Sequence, residues 1–413
     1  MAFFYLFIFA SLVLGTFTVG PFSIRVYFTV VMLVYLLLNG KKNRQINSKM
    51  PYDVLWLLGV YLFFNALSLT MCDEFDKSGF PKSLLALFLN CYVTFFAFNH
   101  FVNTPKQLKS TAIFLISVVA VNCLITYLQY LGNPIGIGIA LGLINDPEVQ
   151  SDILMGQNFG GDTFGKDLTI GIFNYTFINA NYIAIVGLML LGIWETSNNK
   201  LAKVACLFLF FLFVVASFVT QSRTPFILLI LFSLYIVMKG FLKKKAGLVV
   251  AAAFIILLFV LIPIIINSVD FGRLFDSNKY EGDPRQKIWE YCLDFIGEHL
   301  MWGGPILFDK TYNLAPHNYF LGAFISSGLL GGIVATVIYF RVLFKSLFLF
   351  IGKHSMMVCS MAGAVLIYSA GSLFHNASVI SGDTMFFVAY CLMLKSQLLE
   401  KQNSIITPNS FQR

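Results

Sequence analysis

Three short segments collect the residue types that handle an anionic leaving group and a hydroxyl nucleophile. The first is Thr220-Gln221-Ser222-Arg223-Thr224-Pro225, set between two apolar runs with almost no chain to spare. Pro225 suits the first position of a helix and Thr224 its N-cap. Arg223 would then sit beside a helix N-terminus, where free N–H groups and the positive dipole end attract phosphate. A guanidinium fork adds paired hydrogen bonds to phosphate oxygens. The same side chain would equally serve as an interfacial arginine reaching toward lipid headgroups.

The second segment is Asp283-Pro284-Arg285-Gln286-Lys287-Ile288-Trp289. Asp283 as N-cap, Pro284 at the first helical position and Gln286 three residues past the cap predict a helix running to about Leu300. Ile288, Trp289, Cys292, Phe295 and Ile296 form its apolar face; Lys287, Glu290, Asp294 and Glu298 form its polar face. Arg285 lies one turn before Ile288 and Trp289, on the side turned to membrane or protein. It needs a counter-charge there, either a loop carboxylate or a ligand phosphate.

The third is Pro316-His317-Asn318-Tyr319, which opens a long apolar run containing Gly328, Gly331 and Gly332. An imidazole with an ordinary pKa of about 6.5 can act as a base near neutral pH, or simply hydrogen-bond a hydroxyl or anion. The glycines suggest close helix packing. His375-Asn376 repeats the dipeptide near another helix end, with Asp383 close by in sequence.

The elements that carry these segments follow from composition. The chain has 413 residues, 58% hydrophobic and only 12% charged, against about 25% charged in soluble domains. Apolar runs long enough to cross about 30 Å of hydrocarbon recur throughout: 2–19, 26–39, 52–70, 83–102, 111–131, 176–194, 204–220, 225–238, 247–266, 317–340, 355–373 and 379–394. The predicted fold class is all-α, a polytopic integral membrane protein of about 12 transmembrane helices. The short alternating segments of a membrane barrel are absent. The first run lacks the basic flank and cleavage site of a signal peptide.

With the N-terminus in the cytoplasm, the inner connections hold 18 of the 28 Lys and Arg residues, so the positive-inside rule puts both termini inside. The net charge of +8 is this asymmetry; it is not a nucleic-acid footprint, and no nucleic acid is expected as partner. Inner connections are too short to fold into a nucleotide-binding domain. The polar chain lies outside, in a loop over 132–175 and a larger, partly helical one over 267–316; loops this long are usually functional. Residues 401–413 read as a disordered cytoplasmic tail. The seven cysteines show no C-x-x-C spacing. Cys72 and Cys292 could meet on the oxidising side, although free thiols are the simpler reading, and no metal-ligand cluster stands out.

Taken in order, TQSRTPFILL (220–229), the 283–305 stretch DPRQKIWEYCLDFI…WGGP, and PHNYFLGAFISSGLLGG (316–332) resemble the bacterial O-antigen ligase and O-antigen polymerase superfamily. FINANYIAI (177–185) resembles that family's Asn-containing entry to a span. The resemblance covers roughly 170–345 and implies a GT-C-like glycosyltransferase. Such an enzyme moves a glycan from undecaprenyl pyrophosphate to an acceptor hydroxyl on the periplasmic side, in the inner membrane. By carry-over Arg223 and Arg285 would bind the pyrophosphate, and His317 would activate or orient the attacking hydroxyl. Asn318, Lys287 and Asn181 would be further binding residues. No cofactor is implied: there is no Asp-x-Asp motif, so cationic side chains would neutralise the leaving group. The partners implied are an undecaprenyl-pyrophosphate-linked oligosaccharide, membrane lipid and a chain-length regulator protein.

Ligases of this type commonly show a second His just before the His-Asn pair. Here that place is Ala315-Pro316, which favours the polymerase. Arg285 to Gly297 is one residue longer than the Arg-to-Gly spacing ascribed to polymerases, so it supports that reading only loosely. Two readings of another class stay open: a secondary transporter, which would place ionisable groups at mid-membrane, and a non-catalytic flippase partner.

Overall fold

The computed structural model describes residues 1–19, 22–39, 50–71, 89–143, 169–173, 176–241, 284–374, 380 and 382–406. The predicted span 247–266, together with Cys72, Asp283 and His375-Asn376, lies outside them.

Helices in chain order are α1 (Ala2–Leu12), α2 (Ile24–Asn39), α3 (Asp53–Met71), α4 (Thr94–Phe101), α5 (Pro105–Tyr130), α6 (Pro134–Leu143) and α7 (Thr176–Thr196). Then come α8 (Lys200–Val219), α9 (Arg223–Phe241), α10 (Pro284–Glu298), α11 (Pro305–Tyr312), α12 (Tyr319–Ile351), α13 (Met356–Ser372) and α14 (Thr384–Ile406). Five of them, α3, α5, α7, α8 and α12, are long and apolar enough to cross a membrane. The chain is an all-α polytopic membrane protein.

Several boundaries differ from the sequence reading, four of them by enough to alter an element. The run 2–19 is not one helix: α1 stops at Leu12, and after a single tight turn Thr18–Val19 pairs antiparallel with Phe22–Ser23. Gly15 and the β-branched Thr16, Thr18 and Val19 disfavour continued helix. The 317–340 run extends to Ile351: Arg341, the first residue beyond the apolar stretch, is a good helix former, and its Nη2 lies 2.7 Å from Asp53 Oδ2. α14 carries on through Ile406, into the stretch read as a tail. The 132–175 loop contains α6.

α7 is the hub. It is buried without interruption from Asn179 to Ile193. Small residues let its neighbours approach closely: a Cβ on Gly187 would sit 3.2 Å from Leu229 of α9, and one on Gly192 3.0 Å from Met357 of α13. The reciprocal contact comes from α13, where a Cβ on Gly363 would sit 3.0 Å from Leu188.

One end of the bundle is lysine-rich and closed by polar ties. Lys239 Nζ donates to the carbonyls of Phe350 at 2.9 Å and Ile351 at 3.3 Å, and to that of Gly352, satisfying the last carbonyls of α12. Lys395 donates to Asn103 at 3.2 Å, Lys109 to the Thr196 carbonyl at 3.2 Å, and His354 Nδ1 lies 2.7 Å from Glu400.

Candidate functional site

The other end of the bundle gathers the polar residues singled out by the sequence. α8 closes at Thr220, and Gln221 adopts a left-handed φ of 54°, the position past a helix end where glycine is usual. The chain thereby reverses within two residues. α9 begins at Arg223, two residues earlier than the Thr224 cap and Pro225 start expected. The Phe226 amide donates to the Ser222 carbonyl at 3.4 Å, so Ser222 takes the cap place. Pro225 still falls in the first turn, where its missing N–H leaves no bond unmade.

α8 folds back between α7 and α9, so those two run in the same direction. Gly187 meets Leu229. Six residues before each stand Asn181 and Arg223, a step of about 9 Å along each helix at 1.5 Å per residue. The two therefore share one level. Asn181 is 3% exposed, and its Oδ1 has no hydrogen-bond partner among the described residues. A Cβ on Gly371, in the last turn of α13, would come 3.0 Å from that oxygen.

Two residues on, the Leu373 carbonyl accepts from Asn318 Nδ2 at 3.0 Å. Asn318 is the N-cap of α12: its Oδ1 accepts from the amides of Phe320 at 2.9 Å and Leu321 at 3.2 Å. Structural ties thus use most of its side chain, leaving one amide hydrogen for any ligand. His317 beside it is held at φ 49°, a region non-glycine residues seldom adopt and which costs strain. Arg223, Asn181, His317 and Asn318 therefore come to one end of the bundle.

α10 forms where predicted, with Cys292 and Phe295 buried, Ile288 and Ile296 packed against them, and Lys287, Glu290, Asp294 and Glu298 exposed. Arg285 falls in its first turn. Lys287 is on the exposed face, turned away from the packed side. With Phe308 of α11 and Ile325 of α12, the buried face of α10 makes a satellite core. Burial there pushes the Cys292 thiol up to about 11.

Of the three glycines expected to serve close packing, Gly328 does something else. Its φ of 64° and ψ of −165° break α12 in two. The rung that would join the Leu329 amide to the Ile325 carbonyl is open. Instead the Gly304 amide donates to the Ile325 carbonyl at 2.8 Å, and the Leu329 amide donates to the Leu300 carbonyl at 2.7 Å. The next carbonyl, Ser326, accepts from Asn65 Nδ2 of α3 at 2.8 Å. Gly303, at φ 74°, permits the approach: a Cβ there would lie 2.4 Å from the Ile325 carbonyl oxygen.

Two further clusters emerge from the fold; of their residues the sequence reading singled out only Asp383. Asn122, Thr126 and Gln129 form a polar stripe on α5 that holds the chain entering α7. Asn122 donates to Asn179 at 2.6 Å, Asn179 to the Thr169 carbonyl at 2.6 Å, and Gln129 both donates to and accepts from Gly171, at 3.0 and 2.8 Å. Their i, i+4, i+7 spacing in an apolar run was the available signal. The second cluster joins Tyr182 of α7 to Asp383 at 2.9 Å, with the charge of Arg25 in α2 close by. Among the described residues no group of three His, Cys, Asp or Glu side chains offers a metal site.

Membrane-length apolar helices, one lysine-rich end, and a short amphipathic helix packed against a broken long one at the other end define the class: a multi-pass membrane protein. Residues 208–336, just under a third of the chain, match the family model described as O-antigen ligase. That match bears out the resemblance to the O-antigen ligase and polymerase superfamily. The matched stretch runs from α8 into α12 and carries Arg223, Arg285, Lys287, His317 and Asn318; Asn181 precedes it. No curated protein matches the chain.

Proposed function

We propose that the protein is an O-antigen polymerase, a glycosyltransferase that joins undecaprenyl-pyrophosphate-linked repeat units at the periplasmic face of the bacterial inner membrane, with both termini in the cytoplasm. The observation that carries the reading is that Arg223 and His317-Asn318, both inside the family-matched stretch, come to the same end of the bundle, opposite the lysine-rich one. By the positive-inside rule that end faces out.

In the reaction, the acceptor hydroxyl oxygen attacks the anomeric carbon of the donor glycan. The bond from that carbon to the pyrophosphate oxygen breaks, and undecaprenyl pyrophosphate leaves. His317 takes the hydroxyl proton as general base. Arg223 and Arg285 neutralise charge as it develops on the leaving pyrophosphate, the clamp role of preorganised cations. Asn318 fixes the backbone that presents His317. Lys287 and Asn181 are accessory contacts to the glycan-lipid.

Replacement of a possible second His by Ala315-Pro316 supports polymerase over ligase. Transfer of the finished lipid-linked glycan to lipid A-core is the second reading, and the family match is compatible with either. Deletion of the gene separates them. Collapse of the surface glycan ladder to single-repeat material is the expected result. Loss of all attached glycan, with long lipid-linked chains accumulating, would make the protein a ligase. An unchanged ladder would sink both.

A further inference from the structure

We propose that Asn65, Gly303 and Gly328 are positioning residues: they lock α10 to the first half of α12 and so set the separation between the basic first turn of α10 and His317. The inference rests on the proposed function, since it assigns these residues a part in the same transfer.

The argument begins with the opened rung. A helix that loses one i→i−4 bond exposes one amide and one carbonyl, and within a membrane protein both must find partners inside the protein. Here both are met by one loop. The Ile325 carbonyl takes the Gly304 amide, and the Leu329 amide takes the Leu300 carbonyl. Only a loop presenting a carbonyl and an amide at that spacing can satisfy both, so the exchange fixes one register between the loop and α12.

Asn65 supplies the third partner by covering the Ser326 carbonyl. It reaches across from α3 and holds the break open from the far side. Both glycines are required by geometry. A Cβ on Gly328 would fall 2.3 Å from the Met301 carbonyl oxygen, and one on Gly303 would fall 2.4 Å from that of Ile325.

The half-helix from Tyr319 to Ser327 is therefore pinned at both ends. Asn318 ties its start to Leu373, and the exchanged bonds tie its end to the loop that leaves α10. Between them, Ile325 and Leu321 pack into the satellite core of α10 and α11. α10 and the His317-bearing turn thus form one body. If Asn65 no longer donates, the competing state is a closed Ile325–Leu329 rung with the loop released. Bistable packed elements of this kind convert a local change into a displacement.

The test uses the full chain in lipid nanodiscs, with purified lipid-linked repeat units as substrate, and compares wild type with Asn65→Leu, which keeps the volume and removes the donor. The expected result is a kcat about 100-fold lower, the scale of a roughly 1 Å misplacement. KM and melting temperature should be unchanged, and the amides of Gly304 and Leu329 should exchange about tenfold faster. A variant that transfers at the wild-type rate while wild type is active overturns the positioning role and leaves the proposed function standing. So does a loss of rate that merely tracks a lower melting temperature. A wild type that transfers nothing removes the proposed function, and this inference with it.

Discussion

The Tyr182 hydroxyl donates to Asp383 Oδ1 across 2.9 Å, tying the hub helix α7 to the start of α14. Asp383 is also the cap of that helix, accepting from the Met385 amide at 2.8 Å. A hydrogen bond to a charged group is worth roughly 1.5–3 kcal/mol and a cap about 1 kcal/mol. Tyr182→Phe should therefore lower the unfolding free energy by roughly 1.5–3 kcal/mol, and Asp383→Ala by more, because it removes the cap as well. Denaturant unfolding of the detergent-solubilised protein measures both. Tyr182→Phe unfolding at the wild-type midpoint would show that the tie is idle.

The positive φ of His317 guides the choice of replacement. Asparagine tolerates that conformation better than alanine does. His317→Asn should keep the fold and the Asn318 cap while abolishing proton transfer, a step worth roughly 10²–10⁴-fold in rate. Lipid-linked glycan assembly in vitro is the readout. Normal chain growth by His317→Asn would exclude the imidazole as base.

Lysine keeps the charge of arginine but cannot make a paired fork contact. Arg223→Lys and Arg285→Lys should each lose about 10- to 100-fold in transfer, matching roughly 1.5–3 kcal/mol of charge-assisted bonding. Each is scored by glycan ladder length at matched expression. Full ladders from Arg285→Lys would remove that residue from the site.

Gly171 sits at φ 60°, and a Cβ there would come 2.1 Å from Asn122 Oδ1. Gly171→Ala should displace the Asn122–Asn179–Gln129 network and cost of order 1–3 kcal/mol in backbone strain alone. Lower yield and a lower melting temperature are expected. A wild-type melting temperature would mean that the entry to α7 can repack without loss.

Cys292 lies on the buried face of α10, with its thiol pushed up to about 11 by that burial. On the order of one thiol in a thousand is ionised at pH 8, so maleimide labelling of the native protein should be slow and should rise with pH toward 11. Gly303→Ala, by forcing the loop off α12, should speed it. Rapid labelling of the wild type at pH 7 would show that α10 is not docked.

Much of the architecture was legible in the sequence because it depends on local properties. Apolar run length marks helices such as α5 and α7, and the alternation of Ile288, Cys292 and Phe295 with Lys287, Glu290 and Asp294 gave both faces of α10. Where a boundary depended on a distant partner the reading slipped. α12 outruns its predicted end at Arg341, whose partner Asp53 lies 288 positions away. α9 starts early because Gln221 accepts a left-handed turn that nothing in its side chain announces.

The candidate residues divide in the same way. Arg223, Arg285, Lys287, His317, Asn318 and Asn181 were visible as side-chain types beside helix starts, since such starts have recognisable caps. Tertiary structure alone decided that Asn181 and Arg223 share a level, that Asn318 is mostly consumed in holding α12 to α13, and that Gly328 opens a helix rung for Leu300 and Gly304 to fill. Sequence by itself determined a membrane bundle with a lysine-rich end and an opposite end carrying the long polar segments, because hydrophobic length and lysine placement act residue by residue. Which backbone groups exchange partners across that bundle was settled only by folding, because a carbonyl freed by a break carries no mark of the residue that will meet it.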